Sequence, residues 1–220
     1  MIRFVRAVTD GEYRYIRNFH PHRHRGILAG YPHGQVGWQS LFKLKQAGQL
    51  NDVQSAYWTH PQPVEELYHT EQYPWELNNL VNDPKHQDRL ARMRNATLNK
   101  MREIGDTGLV PESMYEGLSK DSTVYEYVHN EDFPYEDILK TALAAGDGGN
   151  GVLQKLRAAM KHEHPVSRYW GATGCTIQVE AAAIATSQLK KLLEDPSPSV
   201  RVAAAEALYV LGDKRTGFDG

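Results

Sequence analysis

An internal repeat at an offset of 33 residues is the feature that most constrains what this chain can fold into. Leu156, Pro165, Arg168 and Ala172 recur as Leu189, Pro198, Arg201 and Ala205, and Met160 aligns with Leu193. Such a period marks helix pairs, each of which leaves an apolar side that only the next pair can cover. The Ala- and Leu-rich texture from Pro134 onward agrees, and Tyr135 to Ala145 reads as a helix of a preceding, degenerate repeat. Roughly two repeats are at the lower limit for a stable stack. This part is therefore expected to dock on the rest of the chain or to continue beyond it.

The first half has a different grain. Two β-rich runs within residues 2–19 flank Thr9-Asp10-Gly11-Glu12, which predicts a hairpin with a type I′ turn at Asp-Gly. Alternation puts Tyr13, Tyr15, Arg17 and Phe19 on one face of the second run. A lone hairpin is marginal in water, so a larger sheet is expected, with one further strand around Glu65 to His69. Short helices are predicted over Trp38 to Ala47, ended by Gly48, and from Asn51 as N-cap. A long helix follows, opened by Asn82 or Asp83 and Pro84 and closed by Gly105. Its Leu90, Met93, Thr97, Met101 and Ile104 recur at three- and four-residue steps and predict one packing face.

Composition excludes several classes. A formal net charge of −2 argues against bulk nucleic-acid or anionic-lipid binding, which needs a basic surplus. The single cysteine, Cys175, allows no internal disulfide and no thiolate metal cage. No apolar run approaches the roughly 20 residues that span a bilayer. The opening run Arg3-Phe4-Val5-Arg6 does not read as a secretory signal.

Three segments then carry a resemblance. Met1 to Phe19 reads MIRFVRAVTDGEYRYIRNF, Pro63 to Leu80 reads PVEELYHTEQYPWELNNL, and Gly105 to Glu112 reads GDTGLVPE. Their order and spacing resemble the C-terminal subdomain of bacterial type I sulfatases, where P-x-E-E-L-Y-D precedes D-P-x-E-x-x-N-L. The likeness covers about residues 1–112, with two departures. His69 and Tyr73 stand where that pattern has Asp, which is expected to weaken the local turn rather than any chemistry. The phrase LKKLLEDPSPSVRVAAAEAL, Leu189 to Leu208, looks like a HEAT-type repeat of the short kind.

What the sulfatase resemblance implies is a sulfuric ester hydrolase, whose mechanism needs formylglycine made from the first residue of C-x-P-S-R or S-x-P-S-R. It also needs a divalent cation, usually calcium, held by Asp and Asn. Neither pentapeptide occurs among these 220 residues. Cys175 lacks the proline and arginine of that signature, and it aligns with Leu208 in the repeat, so a packing thiol is expected. Ser197-Pro198-Ser199-Val200-Arg201 has its proline one position early and belongs to the repeat. Calcium and formylglycine are thus expected only in a catalytic domain outside this sequence, and no catalytic residue and no metal ligand are assigned here.

The most chemical-looking stretch is His20-Pro21-His22-Arg23-His24-Arg25, with His33 nearby. Three readings stay open: a solvated loop, a transition-metal site if the rings converge, or a substrate-pocket rim. The resemblance implies the last, through His20, His22, His24 and Arg25. Gly146-Asp147-Gly148-Gly149-Asn150-Gly151 lacks the Gly-Lys-Ser/Thr of a phosphate loop and reads as a connector. Arg168 and Arg201, one repeat apart, are expected to bond to backbone or acidic groups of neighbouring turns rather than to form a ladder facing a ligand.

The expected fold is therefore α+β: a small antiparallel sheet with covering helices over 1–112, a linker over 113–133, and helical repeats over 134–220. Its expected partner is a sulfatase catalytic domain, which it would buttress and whose pocket rim it would shape. The alternative is a stand-alone interaction module built on the repeats. Without that catalytic domain, Phe4, Val8, Tyr13 and Tyr15 are expected to be poorly covered, with self-association as the result. Localisation stays open: periplasmic or extracellular as part of an exported enzyme, otherwise cytoplasmic.

Overall fold

The computed structural model describes residues 4–25, 34–179 and 183–212. It is α+β, with one three-stranded antiparallel sheet and many helices. Two compact units are present, Met1–Arg94 and Asn95–Gly220, and the division falls inside a single long helix. It is a division by packing, distinct from the boundary at 112 where the family resemblance stops.

In the first unit β1 (Val5–Thr9), β2 (Tyr13–Asn18) and β3 (Glu65–His69) lie in the order β1-β2-β3. Tyr15 pairs with Val8 on one side and Leu67 on the other. The hairpin tip departs from the type I′ expectation. Only Gly11 takes a positive φ (97°), whereas type I′ needs two such residues. Asp10 instead uses its side chain: its Oδ1 accepts from Glu12 N–H at 3.2 Å and from Tyr13 N–H at 2.8 Å. A carboxylate with two local amide donors is a turn that forms without a second strained residue.

The helices of this unit are α1 (Val36–Gln46), α2 (Asp52–Ser55) and the first turns of α3 (Gln87–Glu103). Asn51 caps α2 in a reciprocal pair with Gln54, and a 3₁₀ turn over Pro84–His86 leads into α3. Leu90 and Met93 of α3 close on Tyr13, Tyr15 and Leu67, with Val8, Leu80 and Val81 at the edge. This core overturns the expectation of an uncovered hairpin. Tyr13 and Tyr15 are buried because α3 and the 80–81 segment supply the cover that a separate domain was expected to give, Phe4 is buried against His20, and Val8 stays partly buried at the edge. Ile104 is a second correction: it is 45% exposed, since the helix ends one residue earlier and its apolar face ends with Met101.

One of the two sequence departures, and one residue that follows the pattern, find their physical place. His69 stands in for an Asp as a turn acceptor: its Nδ1 accepts from Gln72 N–H at 3.0 Å, while Nε2 lies 3.1 Å from Glu12 Oε1. The turn expected to weaken keeps its acceptor. Asn79 extends the sheet edge, its Oδ1 accepting from Leu67 N–H at 3.0 Å and from Val81 N–H at 3.1 Å.

The second unit continues through α4 (Tyr115–Leu118), α5 (Val124–Val128), α6 (Tyr135–Asp147), α7 (Val152–Ala159), α8 (Pro165–Ile177), α9 (Thr186–Leu192) and α10 (Pro198–Val210). The repeat is structural. Leu156 and Leu189 are both fully buried, as are Ala172 and, nearly so, Ala205. Glycine permits the tight pairing of α7 with α8. A Cβ on Gly171 would stand 2.8 Å from the Met160 backbone nitrogen and 2.9 Å from the Leu156 carbonyl oxygen. Gly171→Ala is therefore expected to destabilise by about 1–3 kcal/mol in a urea melt, although alanine is the better helix former. A neutral or stabilising result would mean that the two backbones sit further apart than described.

The recurring arginines clasp the turns. Arg168 Nη1 donates to the carbonyl oxygens of His162 and Glu163, and Arg201 Nη1 repeats this 33 residues later on Asp195 and Pro196. Arg168 also grips the next turn, with Nε 2.6 Å from Asp195 Oδ2 and Nη2 2.9 Å from Oδ1. Bidentate pairs of this kind fix geometry as well as adding energy. The GDTGLVPE segment belongs to this unit's core: Leu109 and Val110 are buried, and Trp170 Nε1 donates to the Leu109 carbonyl at 2.8 Å.

Candidate functional site

Adjacent residues on a strand point to opposite faces, so Glu65 and Glu66 separate their charges across the sheet. On the α3 side, Glu65 accepts from Tyr15 Oη at 2.5 Å and from Arg94 Nε and Nη2 at 2.6 and 2.5 Å, with Arg17 at 3.8 Å. Burial alone would raise the Glu65 carboxyl, but the bonds from Arg94 and Tyr15 outweigh it and hold it below its ordinary range. On the other face Glu66, 1% exposed, accepts from Asn18 Nδ2 at 2.8 Å, from Tyr68 Oη at 2.5 Å and from Arg25 with both of its oxygens. Here too burial raises the carboxyl, and Arg25 and Tyr68 bring it below the usual value. One glutamate therefore ties the sheet to its helix. The other ties it to the histidine-rich loop.

Within that loop the four expected residues divide. His20 is buried, tilted against Phe4 with centroids 4.6 Å apart, and belongs to the packing beneath the loop. His22 meets His20 edge-on at 5.1 Å, and both of its ring nitrogens are buried without a hydrogen-bond partner. His24 is half-buried. Arg25 reaches a cleft. Among the described residues no group of three His, Cys, Asp or Glu side chains is arranged to hold a metal ion. His33 lies outside the described residues.

The cleft has a volume of about 760 Å³, and Arg25, Asp52, Tyr57, Glu66, Trp75 and Glu76 are among its lining residues. Its floor is the fixed Arg25–Glu66–Tyr68 group, and aromatic rings stand at its mouth: Trp75 is 82% exposed and Tyr57 44%. Glu76 is reached by Arg14 Nη1 at 2.9 Å. Sequence reading missed Glu66, Tyr57 and Trp75. The signal available for the first was the run of two glutamates, which alternation must send to opposite faces.

Other candidates resolve into structure. Cys175 is fully buried, and burial pushes its thiol up to about 12. The Gly148–Gly151 segment connects α6 to α7, with positive φ at Gly148, Gly149 and Gly151. A second cavity, about 570 Å³, lies in the helical unit beside Lys140, Asp147, Lys155, His162 and the unpaired, buried hydroxyl of Ser167. His164 caps α8, its Nδ1 accepting from Val166 N–H at 3.3 Å and its Nε2 lying 2.9 Å from Tyr127 Oη.

Both mostly buried imidazoles resist protonation. Burial, with His20, Arg23 and His60 nearby, lowers His22 to about 3, and burial with His162 and Arg168 lowers His164 to about 4. The unfolded chain binds these protons near pH 6.5 and the folded chain does not, so stability is lost as pH falls from about 6.5 toward 4. Each group should cost up to about 2 kcal/mol between pH 7.5 and pH 5. His22→Phe should flatten its share of that slope in denaturation curves at the two pH values. An unchanged slope would place the His22 ring in water.

Comparison with known proteins then adds two facts. A model of the HEAT repeat matches residues 186–214. A ulvan-active sulfatase of Formosa agariphila is 35% identical over 109 residues. Half of this chain is related in sequence to a sulfatase. The aligned part is 50% of this chain and 18% of that enzyme, so the chain spans under a fifth of the length of the relative it matches. No solved structure matches the chain. No helix among the described residues is long and apolar enough to cross a membrane.

Proposed function

We propose that the sheet-bearing half is the C-terminal subdomain of a type I sulfatase, which supports a catalytic domain and contributes one wall of its substrate pocket. The observation that carries this is the 35% identity with a sulfatase over half the chain. The geometry supports it in kind. Glu66 locks Arg25 into a cleft whose polar floor is rigid before any ligand arrives, and preorganised groups are what a pocket wall must offer. In this reading the histidine-rich loop carries the wall: His20 and His22 pack beneath it, His24 shapes it, and Arg25 faces the ligand. Calcium and formylglycine belong to the catalytic domain.

Transplantation tests the proposal. Residues 1–112 replace the matching segment of the Formosa agariphila enzyme, and hydrolysis of that enzyme's own substrate is measured. A folded chimera is expected to retain turnover, and Glu66→Ala within it to raise KM. A soluble, folded chimera without turnover or substrate binding would refute the assignment.

The chain alone should leave a chromogenic aryl sulfate untouched with or without calcium, because neither C-x-P-S-R nor S-x-P-S-R occurs in it. Turnover that follows the protein through repurification would overturn that expectation.

A further inference from the structure

We propose that the cleft between β3 and the 52–59 segment binds uncharged sugar residues and disfavours sulfated ones, so that it reads the unmodified part of a glycan. The inference rests on the pocket-wall reading for the reaction it serves, though not for the binding itself. Two independent observations carry it.

The first is the pairing of surfaces. Trp75 and Tyr57 hold exposed rings at the mouth, while Arg25, held in place by the buried Glu66, and the carboxylates of Asp52 and Glu76 line the cleft with polar groups that still reach solvent. A sugar ring offers a complementary pair, an apolar C–H face and an edge of hydroxyls. A purely apolar ligand would desolvate the Asp52 and Glu76 carboxylates and the outer edge of Arg25 without offering them a partner, which is costly. Aromatic rings supply large contact area at small entropic cost.

The second is charge. Among the described residues lining the cleft, Asp52, Glu66 and Glu76 are acidic and Arg25 alone is basic. Arg25 is already committed to Glu66, and Glu76 is met from behind by Arg14. Asp52 stays uncompensated among these groups. Among the described lining residues an incoming sulfate would find no spare cation and a net negative wall, and like charge in a partly enclosed site is repelled. A hydroxyl-rich neutral ring pays no such penalty.

The test uses the full chain. Isothermal titration calorimetry follows binding while neutral oligosaccharides of glucose, galactose, xylose and rhamnose are added, each beside its chemically sulfated form. At least one neutral oligosaccharide should bind saturably at millimolar concentration, and its sulfated form about tenfold more weakly. Trp75→Ala, a change at an exposed side chain, should weaken the neutral ligand by about tenfold with unchanged circular dichroism. Tyr57→Phe should keep most of the binding and Tyr57→Ala lose it.

The inference fails if no neutral sugar binds, if the sulfated form binds more tightly, or if Trp75→Ala leaves affinity unchanged. It fails equally if a lysine-rich peptide saturates the cleft in place of sugars, which would make it a cation site. Sugar binding by the chain together with an inactive chimera would keep the cleft and remove the pocket-wall reading; an active chimera without sugar binding would do the reverse.

Discussion

Trp170→Ala should be the most damaging single substitution in the helical unit, lowering its stability by about 3–5 kcal/mol. The indole is fully buried and its Nε1–H is spent on the Leu109 carbonyl, so removal opens a large cavity and strips a buried acceptor of its donor. Trp170→Phe separates the two effects. It refills most of the space and should cost about 1–2 kcal/mol, near the value of one hydrogen bond plus a small void. Urea denaturation followed by helical circular dichroism reads both variants. A loss under about 1 kcal/mol for Trp170→Ala would mean that the Leu109 segment packs elsewhere.

The second large effect tests the 33-residue period. Leu189 is fully buried at the position equivalent to Leu156, and Leu189→Ala should cost about 2–5 kcal/mol. Its neighbour Lys190 is exposed, and Lys190→Ala should stay within about 0.5 kcal/mol. Ala205 is buried, so Ala205→Leu should overpack its surroundings at a cost of about 1–3 kcal/mol. Equal tolerance of Leu189→Ala and Lys190→Ala would reduce the repeat to an accident of an Ala-rich tail.

Local rules made much of the fold legible. Asn51 predicts the start of α2, Pro84 and Gly105 bracket the long helix, and β3 falls on Glu65–His69 as its composition indicates. These signals lie within a few residues of the structure they specify. What stayed hidden depends on partners far along the chain. The cover over Tyr13 and Tyr15 comes from Leu90 and Met93, and alternation says that a face is apolar without saying what meets it. Arg94 and Arg25 find Glu65 and Glu66 at separations of 29 and 41 residues. No periodicity encodes such a pairing.

The cleft was hidden for the same reason. Tyr57 and Trp75 come from separate turns, each unremarkable in sequence, and only the fold brings both to one opening. The histidine-rich run was visible at once, yet most of its bulk packs inward, with Arg25 as the residue that reaches the cleft. Polar residues crowded in sequence are not thereby crowded at a ligand. Their backbone register decides which of them emerges.

The arginine clasp has a consequence for how such a chain can change length over generations. Asp195 serves two masters: its carboxylate holds Arg168 from the preceding repeat, and its carbonyl holds Arg201 from its own. An insertion or deletion of one or two residues inside α8 or α9 would slide one grip off its target while the other stayed put. Gain or loss of a whole 33-residue frame keeps both. Descendants of this half should therefore differ by entire repeats, with smaller changes surviving in the connections between helices rather than within them.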